Sequence, residues 1–169
     1  YSLGNFAPSG SMHPLSRVTK EGIVFKSHLD GSEHPFTPES CIKYQEGLGA
    51  DIIMPLDLCM PYGVGRDGLW GAMERTYEWA LQSKQVHRRR DQALFGIIQG
   101  GSLHDLRSRA VESITSLDFP GYAIGGLSVG ETKEELYDTV EKTASLLPVE
   151  CPRYLMGVGY ERDLVDAVA

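Results

Sequence analysis

The stretch ALFGIIQGGSLHDL, residues 93–106, changes from one apolar pattern to another halfway along. Its first half is a short, nearly unbroken apolar run ending on one amide, Gln99, and two glycines. A run of that length reads as a strand buried on both faces, the mark of a parallel sheet. Its second half opens a helix from Ser102, with Leu103, Leu106, Ala110, Ile114 and Leu117 on one face. Ser102 and Asp105 resemble a capping box with Asp in place of the usual Glu. One strand followed by one helix is the repeating unit of α/β folds.

The same unit recurs on both sides. ADIIMPLD, 50–57, reads as a strand, and the helix at 66–86 carries Leu69, Met73, Tyr77 and Leu81 at helical spacing. GYAIGGL, 121–127, is another strand, and its helix begins at the capping box Thr132…Glu135 and stops at Pro148. RYLMGVG, 153–159, is the last strand, with a final helix whose apolar face holds Leu164, Val165 and Val168. Upstream, residues 1–20 read as a surface loop. GIVFKSHLDGSEHPFT, 22–37, reads as a hairpin turning at Asp30-Gly31. TPESCIKYQEGLG, 37–49, is a helix capped by Thr37, with Pro38 at its first position and Gly47 or Gly49 at its end.

Alternating strands and helices predict a parallel sheet with right-handed crossovers. No GxGxxG follows an early strand, which argues against an open dinucleotide-binding sheet. A (β/α)8 barrel fits better, although the 169 residues are only part of the ~250 such a barrel needs. The expectation is therefore α/β, a partial (β/α)8 TIM barrel of parallel strands alternating with helices.

Composition narrows the function. Sixteen basic against 23 acidic residues give a net charge of −7, which argues against binding nucleic acid through overall positive charge. The local patch HRRR, 87–90, reads as the basic end of a helix facing solvent. Cys41, Cys59 and Cys151 have no CxxC spacing and imply a reducing compartment without a disulfide framework. No Cys/His pair has zinc spacing, and no run reads as a signal peptide or membrane span. A cytoplasmic protein is expected.

The strand ends carry Asp57, Gln99, Gly125-Gly126 and Met156-Gly157. In a barrel these ends share one mouth. A carboxylate accepts the N1–H and 2-amino donors of a guanine-like base, while an amide NH2 and a backbone N–H suit its O6. Glycines let a flat ring approach the backbone. The same spacing also suits a phosphate site, and an aspartate just ahead of Pro61 and Gly63 also suits a turn cap.

DGSEHPFTPE, FGIIQGG, GYAIGGLSVGE and PRYLMGVG, in that order from about residue 21 onward, resemble the tRNA-guanine transglycosylase family, also called queuine tRNA-ribosyltransferase. The resemblance implies an irregular (β/α)8 barrel with a zinc-binding subdomain. It implies exchange of the wobble guanine of tRNA for a 7-deazaguanine base in queuosine biosynthesis. By this resemblance Asp57 binds the base, and Gln99 and the Gly126 N–H read O6. The Leu127 carbonyl receives the aminomethyl group of the bacterial substrate, Glu131 supports that peptide, and Met156 packs on the ring. Gly157, Val158, Gly159, Tyr160, Glu161, Arg162 and Asp163 match a segment associated with RNA contact. Tyr160-Glu161-Arg162 stands where bacterial members commonly carry Lys/Thr-Pro-Glu.

Cys59 and Val129 match the bacterial rather than the eukaryotic pocket, which implies 7-aminomethyl-7-deazaguanine as substrate. The chain is expected to be the central part of one catalytic domain. The family's first catalytic aspartate, in Asp-Ser-Gly-Gly-Phe-Gln, is expected upstream. The nucleophilic aspartate and the ligands of a structural Zn2+ are expected downstream. No catalytic acid or metal ligand is therefore placed within 1–169. Family members are commonly homodimers. A DNA-modifying paralogue and a non-catalytic tRNA-binding subunit remain as alternatives.

Overall fold

A computed structural model describes residues 16–168. It opens with an antiparallel sheet of β1 (Ser16–Val18), β2 (Ile23–Lys26) and β3 (Glu33–Phe36), in which β2 pairs with both neighbours. The hairpin and its Asp30-Gly31 turn are as read, with Gly31 at φ 74°. The loop expected over 1–20 is corrected at its end, because Ser16–Val18 pairs with β2. Three short residues carry too little pattern to announce a strand. Residues 1–15 of that loop lie outside the described residues.

Helix α1 (Pro38–Leu48) starts at Thr37, which accepts from the Ser40 N–H, and ends at Gly49 with φ 73°. Then the α/β rhythm appears: β4 (Ile52–Ile53), α2 (Arg66–Val86), β5 (Ala93–Leu94), β6 (Gly96–Ile98), α3 (His104–Thr115), β7 (Tyr122–Ile124), α4 (Lys133–Leu146), β8 (Arg153–Leu155) and α5 (Glu161–Val168). β4 pairs with β5, β6 with β7 and β7 with β8, all parallel. The single strand expected over ALFGIIQG is divided at Phe95. The Phe95 N–H donates to Ile53 O, and the next N–H, of Gly96, donates to Gly121 O. One run thus serves two neighbours, as an inner strand must.

The described strands do not close into a barrel. β6 and β7 are buried along their whole length, whereas β8 is largely exposed and Ile52 of β4 is half-exposed. The core lies between strands and helices, with Ile53, Ile98, Leu106, Ala110, Ile114, Ile124 and Leu136 all nearly inaccessible. A second cluster of Ile23, Cys41, Leu56 and Trp79 seats the antiparallel sheet and α1 on α2. The helix expected from Ser102 begins at His104 instead, and its N-cap residue Leu103 offers no side-chain acceptor. Asp105 does not complete a box because it is paired with Arg66. The basic stretch 87–90 lies past the end of α2. Arg88 and Arg90 face solvent, but Arg89 is tied to Asp91 and to the Glu46 carbonyl.

β4 is only two residues long, yet the chain beyond it is fixed. The Gln45 side chain on α1 donates from Nε2 to Met54 O at 2.7 Å and accepts from Met54 N at 3.0 Å. One amide therefore replaces a strand neighbour three residues before Asp57. Gln45→Leu leaves the Met54 N–H unpaired and its carbonyl with only the weak Cys41 thiol contact at 3.8 Å, and should destabilise the full-length protein by about 1–3 kcal/mol in urea unfolding. A loss below about 0.5 kcal/mol, the ordinary scatter of surface changes, would contradict this role.

Candidate functional site

The parallel register sets the strand ends level. Ile98 lies opposite Ile124, and Ile124 opposite Leu155. The next residue on each strand is then Gln99, Gly125 and Met156. The Gly125 N–H donates to Ile98 O at 2.9 Å, and the Met156 N–H to Ile124 O at 3.1 Å. Asp57 follows β4 by four residues, and its position is held by Gln45 on one side and by Thr76 on the other. The buried Thr76 hydroxyl accepts from the Leu58 N–H at 3.0 Å.

Across this level, Gln99 Nε2 donates to Asp57 Oδ2 at 2.6 Å. Asp57 is thus engaged across the sheet and does not cap α2, whose N-cap is Gly65. Burial pushes the Asp57 carboxyl above the ordinary aspartate range, partly opposed by the Gln99 hydrogen bond. Gln99 itself is 4% exposed. Beside it Gly126 has φ 68°, and a methyl carbon there would lie 2.4 Å from Gln99 Oε1, so a side chain is excluded. The Cys59 thiol sits against the Gly126 amide, and burial together with the Asp57 charge pushes its pKa up.

A cavity of about 250 Å3 opens next to this pair, lined among others by Met60, Tyr62, Gly126, Leu127, Val129 and Glu131. Its wall is a tied loop. Ser128, at φ 59°, donates its N–H to Glu131 Oε1, and the Val129 N–H donates to Glu131 Oε2 at 3.0 Å. The Val129 carbonyl accepts from the Tyr62 N–H at 3.4 Å, and the Tyr62 hydroxyl donates to Glu135 at 2.9 Å. Asp57, Gln99 and Met156 do not line this cavity; Gln99 meets it at the lining residue Gly126.

Gly157, Val158 and Gly159 form the link to α5, and Tyr160, Glu161 and Arg162 are exposed. Asp163 turns inward at 4% exposure. It accepts from Lys133 Nζ at 2.6 Å and from the Tyr137 hydroxyl at 2.7 Å, ties that hold its carboxyl below the usual range. It anchors α5 on α4, and it does not share the outward face of its neighbours. Among the described residues no group of three His, Cys, Asp or Glu could hold a metal, and no helix is long and apolar enough to cross a membrane.

One functional residue escaped the sequence reading. Arg107 is 1% exposed and donates to Gly101 O at 2.6 Å and to Ile98 O at 3.1 Å, bracing the turn on both sides of Gln99. The available signal was a cation inside the apolar stripe of α3, four residues after Leu103 and three before Ala110.

A family model described as queuine tRNA-ribosyltransferase matches residues 3–169. A queuine tRNA-ribosyltransferase of Pelotomaculum thermopropionicum is 52% identical over 158 residues, covering 94% of this chain and 43% of the relative. One of Desulforamulus reducens is 50% identical over 158 residues, with the same coverage. One of Herpetosiphon aurantiacus is 52% identical over 159 residues, covering 94% of this chain and 41% of the relative. The chain thus spans less than half the length of these relatives.

Because burial favours neutral Asp57, its folded pKa lies above its unfolded one. The resulting stabilisation is full below the unfolded pKa and is lost as pH rises through the folded pKa. Asp57→Asn, which keeps an acceptor for Gln99, should therefore raise the full-length protein's stability at neutral pH by about 0.5–2 kcal/mol. The gain should shrink in thermal melts as the pH is lowered into the acid range. A gain that does not change with pH would contradict the assignment.

Proposed function

The chain belongs to the queuine tRNA-ribosyltransferase family, and from that premise we propose that it carries the base-binding pocket of a tRNA-guanine transglycosylase. The full-length enzyme exchanges the wobble guanine of tRNA for 7-aminomethyl-7-deazaguanine in queuosine biosynthesis. The observation that carries this reading is the Asp57–Gln99 hydrogen bond at 2.6 Å, with Gln99 level with Gly125 at the ends of parallel strands and Gly126 packed against its amide. Asp57 accepts the N1–H and 2-amino group of the base. Gln99 donates its second amide hydrogen to O6, and the Gly126 N–H donates to the same oxygen. The Leu127 carbonyl takes the aminomethyl group, with Glu131 holding that loop, and Met156 covers the ring.

The reaction is a double displacement. A carboxylate of the full-length enzyme attacks C1′ and displaces guanine, giving a covalent RNA-enzyme intermediate, and the incoming base attacks the same carbon. Both catalytic carboxylates and the ligands of the structural zinc belong to segments outside this chain, which would complete the (β/α)8 barrel. The target guanine leaves its stack to reach the pocket, at lower cost in an anticodon loop than in a duplex. Tyr160, Glu161 and Arg162, exposed at the start of α5, supply the RNA-facing surface. The working form is a cytoplasmic homodimer.

Incorporation of labelled guanine into tRNA tests the reading. Asp57→Ala in the full-length protein should abolish exchange while tRNA binding persists, since a bidentate base contact contributes about 1–3 kcal/mol of discrimination. Near wild-type exchange in that variant, or exchange into DNA in place of tRNA, would refute it.

The side chain of Val129 sets the space beside the 7-substituent. Val129→Gly should raise kcat/KM for queuine more than for 7-aminomethyl-7-deazaguanine. A wild type that already prefers queuine would refute the steric role of Val129.

A further inference from the structure

Arg107 is a full guanidinium inside the protein, at 1% exposure. Nε and Nη1 are used by Gly101 O and Ile98 O, but Nη2 has no hydrogen-bond partner among the described residues. Its surroundings identify the direction of that free arm. A methyl carbon built on Gly126 would lie 3.5 Å from Nη2 and 2.4 Å from Gln99 Oε1. The free arm therefore lies beside Gly126, next to the Gln99 amide, the two groups assigned to O6 of the base. Burial lowers the Arg107 pKa only to about 10, so the group stays charged at neutral pH, where the Glu131 carboxylate favours that charge and the Cys59 thiol is neutral.

We propose that Arg107 is a positioning residue for the departing base, holding a buried positive charge beside the Gln99 and Gly126 donors where negative charge collects on O6. The inference rests on the transglycosylase reading. As the enzyme's carboxylate oxygen forms its bond to C1′, the C1′–N9 bond breaks and its electron pair stays with the purine. That charge is shared between the ring nitrogens and O6, and a proton then taken from water gives neutral guanine. Ground-state guanine has no such charge, so a cation beside the O6 donors favours the transition state over the bound base. The two backbone bonds alone would explain a strut. They do not explain why the strut is charged and keeps one arm unpaired.

The test is single-turnover formation of the covalent tRNA adduct by the full-length enzyme, with guanine affinity measured in parallel. Arg107→Met keeps an unbranched stem as far as the Nε position and removes the charge together with the two backbone hydrogen bonds. It should slow adduct formation about tenfold or more, less than the 10²–10³ of losing a direct donor, with guanine affinity within about threefold of wild type. Arg107→Lys keeps the charge without the fork and should recover most of that rate. Parallel loss of rate and guanine affinity in both variants would reduce Arg107 to a strut and overturn the proposal, as would a Met variant as fast as wild type. If the Met variant does not fold, the Lys variant decides. A rate within about threefold of wild type supports the charge, and a tenfold loss at unchanged guanine affinity overturns it. A wild type that neither binds guanine nor forms adduct would instead refute the transglycosylase reading itself.

Discussion

The hydrogen bond from Gln99 to Asp57 joins two strand ends that are 42 residues apart in sequence, and much of the structure serves to hold it. Neither partner is free to wander. Gln99 is flanked by Ile98 and Gly101, whose carbonyls are both clasped by Arg107. Asp57 follows Met54, which Gln45 grips from α1, and precedes Leu58, which Thr76 grips from α2. Each of these braces is a buried or half-buried polar side chain spent on backbone groups that a longer strand would have paired. The cost is a carboxylate held where burial favours its neutral form. Stability is given up at the point where, on our reading, an ionised acceptor must meet the base.

The adjoining wall follows a different logic. The loop after β7 places three residues, Gly126, Ser128 and Gly130, at positive φ. At Gly126 this is free of strain. At Ser128 it is not, and Glu131 offsets it by accepting from two consecutive amides. Tyr62 then fastens the loop after β4 to this wall through the Val129 carbonyl and the Glu135 carboxylate. The side-chain positions that shape the cavity are thus set by a short network reaching across two strand ends.

Much of this was legible because it rests on runs and caps. Continuous apolar runs announced β6 and β7, the Thr132…Glu135 box announced α4, and Gly47 or Gly49 marked the end of α1, which falls at Gly49. The gathering of Asp57, Gln99 and Gly125-Gly126 at the strand ends followed from treating each run as one parallel strand. What escaped has little periodic signature. Gln45 and Arg107 act on backbone atoms outside their own helices; nothing local distinguishes Gln45 from a solvent-facing side chain, and Arg107 is marked only by its place in the apolar stripe of α3. Asp163 was grouped with its exposed neighbours because its partners, Lys133 and Tyr137, lie on the preceding helix. Ser102 and Asp105 had the letters of a cap, but a contact with Arg66 on another helix claimed Asp105.

On our reading Asp57 and Gln99 together read the hydrogen-bonding edge of a guanine-type base. This recognition is tested most directly by comparing guanine with hypoxanthine, which lacks only the 2-amino group, as competitive inhibitors of exchange by the full-length enzyme. Loss of one of the two donors to Asp57 should weaken inhibition by about 1–3 kcal/mol, roughly 5- to 150-fold. Equal inhibition by the two bases would contradict the claim.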